Sequence, residues 1–131
     1  MSESASPPRY VLQFTEGFFA DLRDGWEHFR ETAGKNIADE WEESLLRVVN
    51  MLRENPYACP VAAEYDQFGQ SVRRLLYQRA SGAPTYRILY FAAEPVQTSS
   101  SNTIPIVVFA ALHASAKPLS IRKARELRRR P

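Results

Sequence analysis

Hydrophobic and polar residues change period several times along the chain, and each change marks an element. In Arg9-Tyr-Val-Leu-Gln-Phe14, Tyr10, Leu12 and Phe14 alternate with Arg9, Val11 and Gln13, the period of two that a strand requires. Thr15 suits a helix N-cap, because its hydroxyl can accept from first-turn amides, and Glu16 complements the positive end of the helix dipole. Phe19, Leu22, Trp26, Phe29 and Ala33 then recur at steps of three and four, one face of an α-helix, and Gly34 is a natural stop. Asn36 is placed to cap a second helix, with Asp39 as an approximate capping-box partner. Ile37, Trp41, Leu45, Val48 and Leu52 form its apolar face. Asn55-Pro56 ends it, since the residue before a proline is pushed out of the α region. The link between the two periodic runs is so short that the helices must fold back as an antiparallel hairpin.

Beyond Tyr57 to Gln70, which reads as a connecting loop, the period returns to that of strands. Val72 to Arg79 is a second strand, Ser81-Gly-Ala-Pro84 is turn chemistry, and Tyr86-Arg-Ile-Leu-Tyr-Phe91 is the strongest strand pattern in the chain. Glu94 to Pro105 is polar and serine-rich and reads as a long hairpin loop. Ile106 to Leu112 is wholly apolar, as a central strand is. Pro118 and Ser120 introduce a last, basic helix reaching to about Arg130. The order β-α-α-β-β-β-α predicts an α+β fold of two layers: a helical hairpin packed on a small, mainly antiparallel sheet, with the first strand at an edge or beside the last. Residues 1–8 read as a disordered leader, 9–117 as the domain and 118–131 as a basic C-terminal helix or tail.

Composition narrows the class. The chain has 131 residues, 44% hydrophobic and 24% charged, the balance of a single globular domain that needs no staples. Cys59 is alone, so no internal disulfide is possible, and no apolar run is long enough for a membrane span. The Ser- and Pro-rich leader lacks the apolar core of a signal peptide. A cytoplasmic protein without membrane association is expected. The net charge of +2 conceals an asymmetry. From Lys117 onward seven bases and one acid give +6, against ten bases and fourteen acids elsewhere, a net −4. A basic tail on an acidic body suits an anionic partner, or simply keeps a tail solvated.

No glycine-rich nucleotide loop, paired-cysteine motif or zinc-protease motif is present, and two histidines are too few for a histidine-based metal site, so no cofactor and no metal are expected. The informative stretch is Ser71 to Phe91, which carries Arg73, Arg74, Arg79 and Arg87 and no acid. By period two, Arg73, Leu75, Tyr77 and Arg79 share one face of their strand, and Arg87, Leu89 and Phe91 share one face of theirs. His113 falls on the face of Val107, Phe109 and Ala111 by the same count, with Lys117 just beyond. If these faces coincide, Arg73, Arg79, Arg87, His113 and Lys117 form one cationic surface able to hold a phosphate backbone or an acidic peptide. The alternative is that individual arginines pair with helix acids such as Glu42 or Glu43. His113 is either a general acid–base or a strand-end residue bonded to nearby backbone.

The run of a short first strand, a hairpin ending in Glu54-Asn-Pro-Tyr57, then Val72-Arg-Arg-Leu75, Tyr86-Arg-Ile-Leu-Tyr-Phe91 and Val107-Val-Phe-Ala-Ala-Leu-His-Ala114 resembles the RelE/ParE superfamily of toxins from type II toxin–antitoxin systems. The resemblance covers about Arg9 to Lys117 and rests on the order and spacing of loose motifs. It implies a growth-inhibiting toxin of a plasmid-stabilisation module, held inactive by a cognate antitoxin. RelE-like members cleave mRNA on the ribosome with basic and tyrosine side chains, while ParE-like members share the fold and inhibit DNA gyrase. Arg87 matches the arginine after the tyrosine of the RelE-like third strand. The RelE-like C-terminal tyrosine has no counterpart, since no tyrosine follows Phe91. ParE-like sequences often read Leu-His-Gly-Ala-Arg-Asp at the end of the last strand. Here Ala114 and Ser115 replace Gly-Ala, and Lys117-Pro118 replaces Arg-Asp.

Cleavage by attack of a 2′-hydroxyl needs a base and an acid, and arginine, with a pKa above about 12, is a poor choice for either. The expected reading is therefore a ParE-like toxin that binds a target such as gyrase through Arg73, Arg79, Arg87, His113 and Lys117. The alternatives are a ribosome-dependent endoribonuclease using Arg73, Arg87 and His113 against RNA, and a repurposed family member acting only as a binding module.

Overall fold

The computed structural model describes residues 9–62, 71–92 and 103–114. The expected leader, the serine-rich part of the expected loop, Lys117 and the final basic helix lie outside them. Strand β1 (Arg9–Phe14) leads through Thr15 into helix α1 (Glu16–Ala33), and Gly34 alone separates α1 from α2 (Lys35–Asn50). A 3-10 turn (Met51–Arg53) follows, and then β2 (Arg73–Gln78), β3 (Thr85–Ala92) and β4 (Thr103–His113). The sheet order is β1-β4-β3-β2. β2, β3 and β4 form an antiparallel meander, and β1 joins the outer side of β4 in parallel. Two helices over a mixed four-stranded sheet make this an α+β domain. Among the described residues no helix is long and apolar enough to cross a membrane.

Thr15 starts α1 as expected: its hydroxyl accepts the Phe18 amide at 3.2 Å. Its own amide bonds to Val108 O at 3.2 Å, so the helix start is tied directly to β4. The second cap differs from expectation. Asn36 lies inside the first turn of α2, and the cap is Gly34, at φ 96° and ψ 165°. Asp39 does not close a capping box. Its carboxylate accepts Trp26 Nε1 at 2.9 Å and Lys35 Nζ at 2.6 Å, linking the two helices. A glycine can bend the chain back within one residue, which leaves no room for a separate capping loop.

The buried stripes are also shifted. On α1 the buried residues include Phe18, Leu22, Gly25 and Phe29, whereas Phe19 is 51% exposed and Ala33 is exposed. On α2 they are Ala38, Trp41, Leu45 and Val49, with Ile37 and Val48 only half-buried. The reason is close approach: the Trp41 ring lies directly over Gly25. Counting large apolar residues credits neither Gly25 nor Ala38, although the hairpin packs through both.

The hairpin covers one face of the sheet, where Phe18, Trp41, Leu45, Tyr77, Tyr86, Ile88, Tyr90, Ile106 and Val108 form the main core. Full burial of side chains this size stabilises by roughly 1.5–3 kcal/mol each. A smaller cluster on the opposite face joins Ala62, Val72, Leu89, Phe109 and Ala110. β4 begins earlier than expected, at Thr103. Pro105 lies beyond Ile106, the last β4 residue paired with β3, and is paired only with Val11 of β1, so its missing N–H removes nothing from the β3 ladder.

Candidate functional site

Strand register decides which cations share a surface, because residues directly opposite in adjacent strands point to the same face. Arg73 lies opposite Tyr90, Leu75 opposite Ile88 and Tyr77 opposite Tyr86, so this set faces the helices. Arg74 lies opposite Leu89 and Leu76 opposite Arg87, so these four take the other face. The expected alignment of Arg73 with Arg87 is therefore wrong by one residue, and Arg74 is the true neighbour of Arg87 in the sheet.

A β-bulge reorders β4 in the same way. The β3–β4 register shifts between Leu89, opposite Ala110, and Tyr90, opposite Val108, which leaves Phe109 as the extra residue. Phe109 and Ala110 both belong to the smaller cluster, and the parity of the strand reverses after them. His113 consequently lies opposite Tyr86, with ring centroids 5.5 Å apart and planes at 72°. It does not share a face with Val107, as the unbroken period-two count requires, and it does not join Arg87.

Arg73 and Arg79 have structural partners. The Arg73 guanidinium donates to Tyr57 O at 3.0 Å and Cys59 O at 2.7 Å, and lies 5.6 Å from the Tyr57 ring centroid. It clamps the chain leaving the 3-10 turn onto the edge of β2. Arg79 pairs with Glu40 of α2 at 3.0 Å, the helix-acid pairing that the sequence allowed, although with a different acid. Near Arg73, the Tyr90 hydroxyl donates to Pro56 O at 2.6 Å. Burial, with Cys59 beside it, pushes the Tyr90 hydroxyl well above the usual phenol range, so Tyr90 is a fixed donor and no proton shuttle. The Ser44 and Tyr77 hydroxyls bond to each other and hold α2 to β2.

The remaining candidate surface is the sheet face away from the helices. It carries Arg87, 8% exposed on the interior strand β3, with half-buried Arg74 and 58%-exposed Leu76 beside it on β2. Half-buried Phe91 and Leu112 lie around them, packed on a buried cluster that includes Leu89. A guanidinium among such neighbours recognises carboxylates or phosphates strongly, because water competes weakly there. Of the five expected binding residues, only Arg87 lies on this face; Arg73, Arg79 and His113 are turned or tied elsewhere, and Lys117 is outside the described residues. Arg74 is the residue that period counting misplaced, and only the β2–β3 pairing reveals it. Among the described residues no group of three histidines, cysteines or acids is arranged to hold a metal ion. Fold and surface together define an α+β domain with a helix-covered sheet face and an arginine-bearing opposite face. No protein-family model matches the chain, and no curated protein matches it.

Proposed function

We propose that the chain is the toxin component of a type II toxin–antitoxin module, ParE-like in action: it inhibits growth by binding a protein target such as DNA gyrase and is neutralised by a cognate antitoxin. The observation that carries this reading is the placement of Arg74, Leu76 and Arg87 together on the sheet face opposite the hairpin. A mixed basic and apolar surface suits an acidic, amphipathic segment of an antitoxin or target. A helical hairpin over a sheet ordered β1-β4-β3-β2 also accommodates the resemblance seen in the sequence.

The same placement favours binding over RNA cleavage. Arg73, Arg87 and His113, the trio the nuclease reading requires, are divided between two faces. The proton-transfer candidate, His113, is against Tyr86 on the helix side.

Tightly induced expression of the chain in a bacterial culture tests the proposal. The expected outcome is rapid arrest, relief by co-expressed antitoxin, inhibition of supercoiling by purified gyrase, and no specific mRNA cleavage. Leu76→Asp, 58% exposed on the proposed surface, should relieve the arrest while leaving the thermal midpoint within about a degree or two, as surface substitutions do. Normal growth with soluble, folded protein present, or arrest accompanied by mRNA cleavage with gyrase unaffected, would overturn it.

A further inference from the structure

β2 is an edge strand, and its outer rim is only half used. In an antiparallel ladder successive residues turn their N–H and C=O groups alternately toward one neighbour and the other. The Ala62 amide donates to Val72 O at 2.7 Å, and the Arg74 amide donates to Pro60 O at 3.0 Å, so the even-numbered residues of this stretch point outward. Residues 60–62 thus cover the first half of the rim, with Val61 bridged antiparallel to Arg73. The pairing of β2 with β3 runs without a shift from Arg73 to Gln78, so the alternation continues along the strand. Leu76 and Gln78 therefore turn two N–H and two C=O groups away from the sheet. Among the described residues no backbone bond reaches them from that side.

Exposed edges are ordinarily blunted by charge, proline or a bulge. Leu76-Tyr77-Gln78 has none of these. Leu76 instead stands 58% exposed on the face away from the helices, next to Arg74 on its own strand and opposite Arg87. Ser71 to Ala92 holds four arginines and no acid, so the rim is cationic. In a strand laid along it, the residue opposite Leu76 lies diagonal to Arg74, within reach of a long side chain. A carboxylate there meets the guanidinium, and a lysine there is repelled. A second copy of the chain brings its own Arg74 to the rim, which like charge opposes.

We propose that the open half of the β2 rim receives an extended segment of a partner protein as a fifth strand, with acidic residues on the face of Arg74 and Leu76. Main-chain bonds to Leu76 and Gln78 hold the segment, and the acidic side chains select it. The inference rests on the reading of the Arg74 and Arg87 surface as a binding face and specifies the form its partner takes. It does not require the chain to arrest growth, so it and the toxin reading can fail separately.

Amide hydrogen exchange of the full chain, read by NMR, tests it with the peptide acetyl-Val-Glu-Val-Glu-Val-amide. In the free chain the Leu76 and Gln78 amides should exchange fast, and those of Leu75 and Tyr77, which turn toward β3, slowly. Saturating peptide should slow Leu76 and Gln78 about tenfold or more. With the glutamates on the Arg74 face, their nitrogens point at β2 and the valine nitrogens point away. N-methylation of both glutamate nitrogens should therefore weaken binding about tenfold or more, and N-methylation of the last two valine nitrogens should leave it nearly unchanged. The lysine counterpart, acetyl-Val-Lys-Val-Lys-Val-amide, should bind severalfold more weakly. No slowing at Leu76 and Gln78 at millimolar peptide, equal binding of the lysine peptide, or equal loss from the two methylation patterns would each overturn the inference. So would protection of both amides before peptide is added; protection that rises with protein concentration would assign the rim to a second copy.

Discussion

Gly25 shows how one missing methyl group shapes the hairpin. A Cβ at this position would come within 2.3 Å of Trp41 Cη2 and 2.9 Å of Cζ2. Trp41 is fully buried and wedged by Phe29 and Tyr86, so it cannot swing away. Gly25→Ala gains helix propensity worth about 1 kcal/mol but overpacks the core, where such insertions cost roughly 1–3 kcal/mol and occasionally more. A net loss of about 2 kcal/mol is expected in urea unfolding, and a stabilised variant would contradict this packing. Asp39 offers a second test at the same scale. Hydrogen bonds from Lys35 first, and then from Trp26, hold its pKa below the ordinary value of 3.8. A depressed carboxylate contributes stability above its unfolded pKa and loses it as pH falls through the folded value. The gap in urea midpoint between the wild type and Asp39→Asn should therefore narrow as pH drops below about 3.8. A gap that does not change with pH would show the carboxylate charge to be idle.

At the scale of elements, the hairpin turns on Gly34 alone. Its φ of 96° and ψ of 165° lie in a region essentially reserved for glycine, and no atom within 4 Å would obstruct a Cβ. The cost of Gly34→Ala is therefore backbone strain without a clash, expected at about 1–3 kcal/mol. Measured by thermal or urea unfolding, a loss near zero would mean that the turn relaxes to another geometry. The elements themselves were legible in the residue pattern. Both helices, all four strands and the stop before Pro56 follow from periodicity and breaker residues. What the pattern misjudged was phase. Phe19 was assigned to the buried stripe that Phe18 occupies, because a helix face can be rotated by one residue without disturbing its spacing. The bulge at Phe109 was equally hidden, since an unbroken apolar run from Ile106 to Leu112 carries no mark of an inserted residue.

Across the whole molecule, Tyr86 and Tyr90 sit in the core between the helices and the interior strands. Burial raises the hydroxyl pKa of both. A phenol whose folded pKa exceeds its unfolded value contributes full stability below the unfolded value of 10.0 and loses it as pH rises beyond. Alkaline unfolding should begin above about pH 10, with phenolate absorbance from these two rings appearing together with loss of the circular dichroism signal. Phenolate absorbance from all six tyrosines in protein that is still folded would contradict the burial. The first and last described strands are also joined: β1 pairs with β4 in parallel, and Thr15 bonds to Val108 across the chain. That closure places the start of α1 against the bulge, where the Thr15 hydroxyl also donates to Phe109 O.

Among the described residues, the sequence by itself determined the kind and order of elements, the hairpin and the α+β class, because each is encoded in local periodicity, caps and turns. It also concentrated arginines on and beside β2 and β3. Which of them share a surface was decided only by tertiary structure. Register across a sheet depends on pairing between distant residues, and a one-residue shift moves a side chain to the opposite face. Thus Arg73 clamps Tyr57 and Cys59, Arg79 meets Glu40, His113 packs on Tyr86, and Arg74 with Arg87 takes the surface toward which all of them seemed to point.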